Sequence, residues 1–257
     1  SSTISNAMTA VNQASTLAVE MANGTNTPAN NEAAAQQVGQ IINELTQSAG
    51  TSYNGQNIFT GNNLNLSSAY TTTTSWYKSS SMAASVSYSV YTYAGTDTNQ
   101  NYQIAQNETV TPSLTADSIF GNDAANLSTN TPYYTSSSAS TSVPSGLISV
   151  LSLFQSELQK NVYQQNSSSI IQGIQNGLNT MTAAQATVGT VIQRLNEQQT
   201  SYQTVLSNIS QLLSQTQDVN VAQAMTNLTQ AQDSYQATLE ASSNITSLTP
   251  MLLQYLK

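Results

Sequence analysis

Apolar residues at Ile4, Met8, Val11, Ala14, Ala18 and Met21 recur every three or four positions, the spacing that puts side chains on one stripe of an α-helix. The pattern predicts a first helix that ends at Asn23-Gly24. It opens without an N-cap, so this helix is expected to start upstream of Ser1. Thr27 and Pro28 fit the N-cap and first position of a second helix, whose stripe is Ala34, Val38, Ile41, Leu45 and Ala49. Together they predict a helical hairpin. At Gly50 the period is lost, and Tyr53-Asn54-Gly55-Gln56-Asn57-Ile58-Phe59-Thr60-Gly61 sets turn residues around a short apolar core.

From about residue 63 to 145 the chain turns to Ser, Thr, Tyr and Asn. Val86-Ser87-Tyr88-Ser89-Val90-Tyr91-Thr92-Tyr93 alternates with period two, which predicts a strand. Tyr102-Gln103-Ile104 and Thr109-Val110-Thr111 predict two more, separated from the first by a turn over 95–101, and Pro112, Pro132 and Pro144 punctuate the region. Thr71–Thr74 and Ser136–Ser142 are expected to be loops, because polar low-complexity tracts bury too little to offset ordering entropy.

Helical spacing returns after Gly146 with Leu147, Val150, Leu151 and Phe154, then Ile170, Ile174, Leu178 and Met181. Val188, Ile192, Leu195, Gln199, Tyr202, Leu206, Ile209 and Leu213 alternate steps of four and three, the seam of a coiled coil. Gln217-Asp218 interrupts it. A second seam runs through Val221, Met225, Leu228, Gln232, Tyr235, Leu239, Ser242, Ile245, Leu248 and Leu252, with Pro250 expected to kink or end the last turns. The first seam is expected to pair with the two N-terminal helices as core. Those helices are too short to cover the second as well, so it is expected to meet an upstream segment, neighbouring subunits, or both. Val221, Met225, Leu228, Tyr235, Leu239, Ile245, Leu248 and Leu252 are the expected assembly interface.

The expected fold is α+β: an antiparallel long-helix bundle formed by both chain ends, with an inserted β-rich domain displayed outward. Its parts are 1–62 and 146–217 for the helical domain, 63–145 for the insert and 218–257 for a C-terminal assembly helix.

Composition removes most chemistry from the picture. Four Lys and Arg against twelve Asp and Glu give a net charge of -8, and so few cations build no nucleic-acid surface. Charged residues are 6% of the chain where a soluble domain carries about 25%, so Ser, Thr, Asn and Gln must hold it in water. There is no Cys and no His, hence no disulfide framework, thiol nucleophile or imidazole base. No apolar run approaches the roughly 18 residues of a bilayer span, and the start lacks the basic-then-apolar plan of a cleaved signal.

The remaining candidates each have a plainer account. Lys78 beside Ser79, Ser80 and Ser81 suggests a Ser/Lys pair, but the tract is serine-rich throughout. Asp97, Asn99, Asn101 and Glu108 stand at four positions of a calcium loop, yet Tyr102 takes the place of its glycine and the flanks predict strands, so Asx turns are the better account. Asn65, Asn107, Asn126 and Asn227 begin Asn-x-Ser/Thr triplets that this composition generates by chance. No catalytic residue, metal or cofactor is expected.

Several motifs together carry a family resemblance. Ala22-Asn23-Gly24-Thr25 between two helices and the stretch Tyr53–Gly61 resemble the start of the flagellin superfamily's helical domain, and Phe59 two before Gly61 favours its hook-associated protein 3 family. Tyr93-Ala94-Gly95, Tyr102-Gln103-Ile104-Ala105 and Ile119-Phe120-Gly121 are similar to that family's small β-domain, and Ala186-Thr187-Val188-Gly189 with Leu195-Asn196 to its second long helix. Asp218-Val219-Asn220-Val221-Ala222-Gln223-Ala224, Leu228-Thr229-Gln230-Ala231-Gln232, Tyr235-Gln236-Ala237 and Leu252-Leu253-Gln254-Tyr255-Leu256 resemble its C-terminal assembly helix.

The resemblance implies an extracellular structural subunit of the bacterial flagellum at the hook-filament junction, exported without a cleaved signal peptide. It also implies self-association in a ring or helical lattice, contact with flagellin and an adjacent hook-associated junction protein, and an export chaperone, with no nucleic acid and no membrane. The chain departs from the family in its scarcity of charge and in a Ser/Thr-rich stretch over 67–85. The alternatives are a short flagellin, or a secreted glycan-binding or adhesive protein with Trp76 and Tyr77 as stacking residues.

Overall fold

The structure, a computed structural model, describes residues 2–255 except 83, 97, 99–100, 106–107, 112–113 and 124–141, and gives the backbone alone for 218–220 and 245–255. The chain divides into two compact units, Ser1–Leu195 and Asn196–Lys257.

The first unit begins with α1 (Ser2–Met21) and α2 (Pro28–Ala49), the expected helical pair. The Thr27 side chain accepts a 3.2 Å hydrogen bond from the Asn30 amide, and Pro28 follows at a position where a missing N–H costs nothing. Buried Ile4, Val11, Ala14, Ala18 and Met21 of α1, with Met8 half-buried beside them, and Ala34, Val38, Ile41, Leu45 and Ala49 of α2 carry the predicted stripes into a single core. Next come a short hairpin of β1 (Ser52–Tyr53) and β2 (Gln56–Asn57), then β3 (Tyr70–Tyr77) paired antiparallel with β4 (Val86–Tyr93). At Gly61, φ is 65°, and a Cβ there would overlap the Thr96 carbonyl.

Thr71–Thr74, expected as a loop, form the middle of β3. Their β-branched side chains suit an extended strand and all four are exposed, while Tyr70 and Tyr77, both buried, fasten its two ends. The two further strands expected here are β5 (Tyr102–Ala105) and β6 (Glu108–Val110), which pair as an antiparallel hairpin, and then comes α3 (Ala116–Phe120), which the sequence pattern does not predict. Thr115 caps α3, and Ile119 and Phe120 enter the core.

The β3–β4 hairpin packs against α4 (Leu147–Gln159) and shares the helices' core through Tyr70, Tyr77, Val86, Tyr88, Val90 and Tyr93. It is therefore part of the helical body instead of a module displayed outward from it. The reason lies in α4, which from Leu147 to Phe154 is apolar all round except for Ser149 and Ser152. Both serines are buried: Ser149 Oγ accepts from the Tyr91 amide and Ser152 Oγ from the Ser89 amide, each at 2.9 Å, while Asn122 Oδ1 accepts from the Tyr93 amide at 3.1 Å. These are the amides β4 turns away from β3, so the helix closes an edge that would otherwise carry bare donors. Asp123 Oδ1 in turn accepts from the Ser145 and Gly146 amides at 2.7 and 3.0 Å, capping α4 where its own N-cap, Gly146, has no side chain.

After α4 a tight turn leads through a 3-10 segment (Tyr163–Gln165) into α5 (Ser167–Tyr255). Residues up to Leu195 belong to the first unit, where Ile170, Ile174, Leu178 and Met181 join the core. Gly177 lets α5 approach α4, since a Cβ there would meet Leu147 Cδ1 at 2.6 Å. The backbone is helical across Gln217-Asp218, where the seam is interrupted, and through Pro250 to Tyr255, so the helix does not end at the proline, which removes one amide hydrogen bond and leaves the neighbouring turns their own.

Ser149→Ala tests the edge closure, since two effects oppose each other. Helix propensity favours Ala by about 0.5 kcal/mol, whereas a bare buried Tyr91 amide costs about 1–3 kcal/mol. Net destabilisation of the first unit in urea unfolding is the expected outcome.

Candidate assembly interface

The described side chains of the second unit belong to one helix, α5 from Asn196 onward, so no second element exists inside that unit to cover it. The large apolar residues of this stretch are correspondingly bare: Tyr202, Val205, Leu206, Ile209, Leu212, Leu213, Val221, Met225, Leu228, Tyr235 and Leu239 are all exposed. Leu206, Leu213, Met225 and Tyr235 stand at 63%, 63%, 65% and 67% exposure.

Val221, Met225, Leu228, Tyr235 and Leu239 thus lie exposed on one helix at the predicted steps of four, three, seven and four. Ile245, Leu248 and Leu252 lie on the same helix, but their side chains are outside the described residues. The upstream seam is a correction. Expected as core, it is half-buried only at Val188, and Ile192 and Leu195 are 44% and 38% exposed. Tyr202, Leu206, Ile209 and Leu213 are exposed outright. The N-terminal helices cannot serve as its cover, because their stripes are already buried in the core with α4, the β3–β4 hairpin and the first turns of α5.

Sequence reasoning also missed Val205 and Leu212, which stand three residues after Tyr202 and Ile209 and widen the stripe on one flank. The two seams do not share one line. From Leu213 to Val221 is a step of eight residues, which at 3.6 residues per turn rotates the stripe by roughly 80° about the axis. A partner that follows both seams must wind around this helix or be two different surfaces.

Electrostatics add little discrimination. Between residues 196 and 244 the chain carries Glu197, Asp218, Asp233 and Glu240 and no Lys or Arg. Many hydroxyls are turned inward on the helix itself: Thr200, Thr204, Thr226, Thr229 and Thr238 each donate to the carbonyl four residues earlier, at 2.8–3.0 Å. The surface is thus a run of aliphatic and aromatic side chains in a weakly acidic setting of uncharged polar residues. Its chemistry is that of burial, at roughly 1.5–3 kcal/mol for each large side chain covered.

The other sequence candidates are structural. Tyr77 is buried and donates to Asn166 Oδ1 at 3.0 Å, so it offers no stacking face, and Trp76 is half-buried. Ser79 and Ser81 bond each other in the β3–β4 turn, where Ser81 also donates to the Gln165 carbonyl; Lys78 is exposed beside them. Glu108 pairs with Arg194 at 2.9 Å, Asn101 accepts from Thr111, and Asp97 and Asn99 lie outside the described residues. Asn65 and Asn227 are exposed, and Asn107 and Asn126 lie outside the described residues.

Since the seam is bare in the isolated chain, Leu228→Ser combined with Leu239→Ser changes the unfolding free energy of the first unit by no more than about 0.5 kcal/mol. Denaturant unfolding followed by Trp76 fluorescence measures this.

Residues 171–256 match the family model of the bacterial flagellin C-terminal helical region, a span that contains both exposed seams. Solved structures share the fold over most of the chain. Flagellar hook-associated protein 3 from Legionella pneumophila superposes with a TM-score of 0.62 at 13% identity, over 85% of this chain and 91% of that one. FlgL from Xanthomonas campestris gives 0.61 at 13% identity, over 83% and 91%. The flagellar junction protein FlgL from Legionella pneumophila gives 0.55 at 13% identity, over 81% and 87%. No curated protein matches the sequence. The chain shares its fold with flagellar hook-associated proteins, and the helix bearing its exposed seams matches the C-terminal helical region of bacterial flagellins.

Proposed function

We propose that this chain is a non-enzymatic structural subunit of the bacterial flagellum, placed at the junction between hook and filament. The observation that carries the reading is the bare seam on α5. Apolar stripes through Tyr202, Leu206, Ile209 and Leu213 and through Val221, Met225, Leu228, Tyr235 and Leu239 gain nothing in water and much against other helices. A subunit that polymerises has such helices at hand in its neighbours.

The assembly interface comprises Val221, Met225, Leu228, Tyr235, Leu239, Ile245, Leu248 and Leu252, joined by the upstream seam from Tyr202 to Leu213. Its partners are further copies of the chain, flagellin on one side and the adjacent hook-associated protein on the other. Its place is outside the cell, after export through the flagellum with the help of a chaperone. The scarcity of charge fits close packing of like subunits, since four acidic residues between 196 and 244 bring little repulsion to a lattice.

Deletion of the gene tests the reading. The expected phenotype is hooks without filaments, with flagellin lost to the medium. Reintroduction of the chain restores filaments, whereas a chain carrying Met225→Ser, Leu228→Ser and Leu239→Ser is secreted but does not. Motile deletion cells that adhere poorly would refute the junction role in favour of an adhesive one, and filaments supported by the triple variant would remove the seam from the assembly.

A further inference from the structure

The turn between α4 and α5 encloses a carboxyl that neither the core nor the assembly surface uses. Glu157, in the last turn of α4, is fully buried. Its Oε1 accepts from Asn166 Nδ2 at 2.9 Å, and its Oε2 is buried with no hydrogen-bond partner. Asn166 stands directly before α5, and its carbonyl accepts the Ser169 and Ile170 amides of the first turn. Its Oδ1 accepts from the Tyr77 hydroxyl at the end of β3, 3.0 Å away. One hydrogen-bonded chain, Tyr77 to Asn166 to Glu157, thus ties the hairpin, the root of α5 and the end of α4 together.

No cation relieves this carboxyl: the ion pair among the described residues is Arg194 with Glu108. The titratable groups that face it are the phenols of Tyr77 and Tyr163. On the elements packed against α4, Glu32 and Glu44 of α2 are exposed, and β4 contributes only the phenols of Tyr88, Tyr91 and Tyr93. Lys160, just past the end of α4, is exposed, as is Lys78 beside Tyr77. An ionised Glu157 would therefore hold its charge with one amide donor and a bare oxygen in an apolar setting, which costs far more than the neutral acid does.

We propose that Glu157, Asn166 and Tyr77 form a proton-operated clasp, which holds the end of β3 to the root of α5 while the carboxyl is protonated and opens when it ionises. Burial holds the Glu157 carboxyl up at about 8, against a smaller opposing effect of the Asn166 hydrogen bond. In the unfolded chain the same group titrates in the ordinary carboxylate range. The folded state therefore binds more protons across the interval between, and stability is full below the ordinary range and falls as pH rises toward about 8. Opening lets water reach Oε2, and the elements that must yield are the end of β3 and the turn over 160–166.

Trp76, the sole tryptophan, precedes Tyr77 in β3 and reports on this spot. In the full chain its emission is expected to shift to the red between about pH 6 and pH 9.5, with a midpoint within about one unit of pH 8. Glu157→Gln keeps the Asn166 acceptor without the charge and is expected to abolish the shift. Identical profiles in the two proteins, or a flat profile in the wild type, would overturn the proposal. Should Glu157→Gln not fold, infrared difference spectra of the wild type decide: a protonated-carboxyl stretch that disappears over the same interval supports the clasp, and its absence at the lower pH overturns it.

Discussion

A helix can bury only as much apolar surface as another surface offers, and in this chain the offer ends near Leu195. The stripes of α1 and α2, the apolar surface of α4, the buried side chains of the β3–β4 hairpin and the first turns of α5 satisfy one another in a single core. From Asn196 onward α5 continues with the same kind of stripe and with no second element in its unit. An isolated helix rich in Ser, Thr, Asn and Gln is marginal in water, so the stability of this stretch is owed to whatever covers it. Assembly with neighbouring helices, as proposed above, would make good that shortage.

The first unit depends on a different set of contacts, concentrated in the turn over 160–166. Asn161, at a φ of 58°, accepts from Asn31 of α2; the Tyr163 hydroxyl reaches the Ala18 carbonyl of α1; Gln164 reaches Asn23. Ser81 and Tyr77 bring the hairpin to Gln165 and Asn166. Nearly uncharged, the chain fixes its elements with hydroxyls and amides where other proteins use ion pairs. Such contacts are short-ranged and insensitive to salt, so the body holds its shape through geometry more than through a field.

Periodicity made much of this visible in advance. The stripes of α1 and α2, the alternation of β4 and the step of four and three after Val188 each belong to a repeat that only one kind of element satisfies. What stayed hidden were features that depend on a distant partner. Thr71–Thr74 look like a loop until Tyr70 and Tyr77 are seen anchored in the core, and the serines of α4 look like mere polar interruptions until β4 lies against them. The seam from Tyr202 to Leu213 was legible as a seam, and its exposure was not. Spacing says that a stripe needs cover, and it does not say which of two similar stripes obtains it from the same chain. Residue types likewise excluded imidazole and thiol chemistry at once, yet gave no sign that Glu157 is buried, since nothing in Ser156-Glu157-Leu158 distinguishes a core carboxyl from a solvated one.

If burial of the seam drives assembly, the seam is open in the single chain and closed in the polymer. Amide hydrogen exchange over residues 196–244, compared between dilute chain and assembled polymer, addresses this directly. The expected result is rapid exchange in the dilute chain, close to that of an unsupported helix, and strong protection in the polymer centred on Leu206, Leu213, Leu228 and Leu239. Protection in the dilute chain equal to that of α1 and α2 would contradict it, because the stretch would then be sheltered without any neighbour.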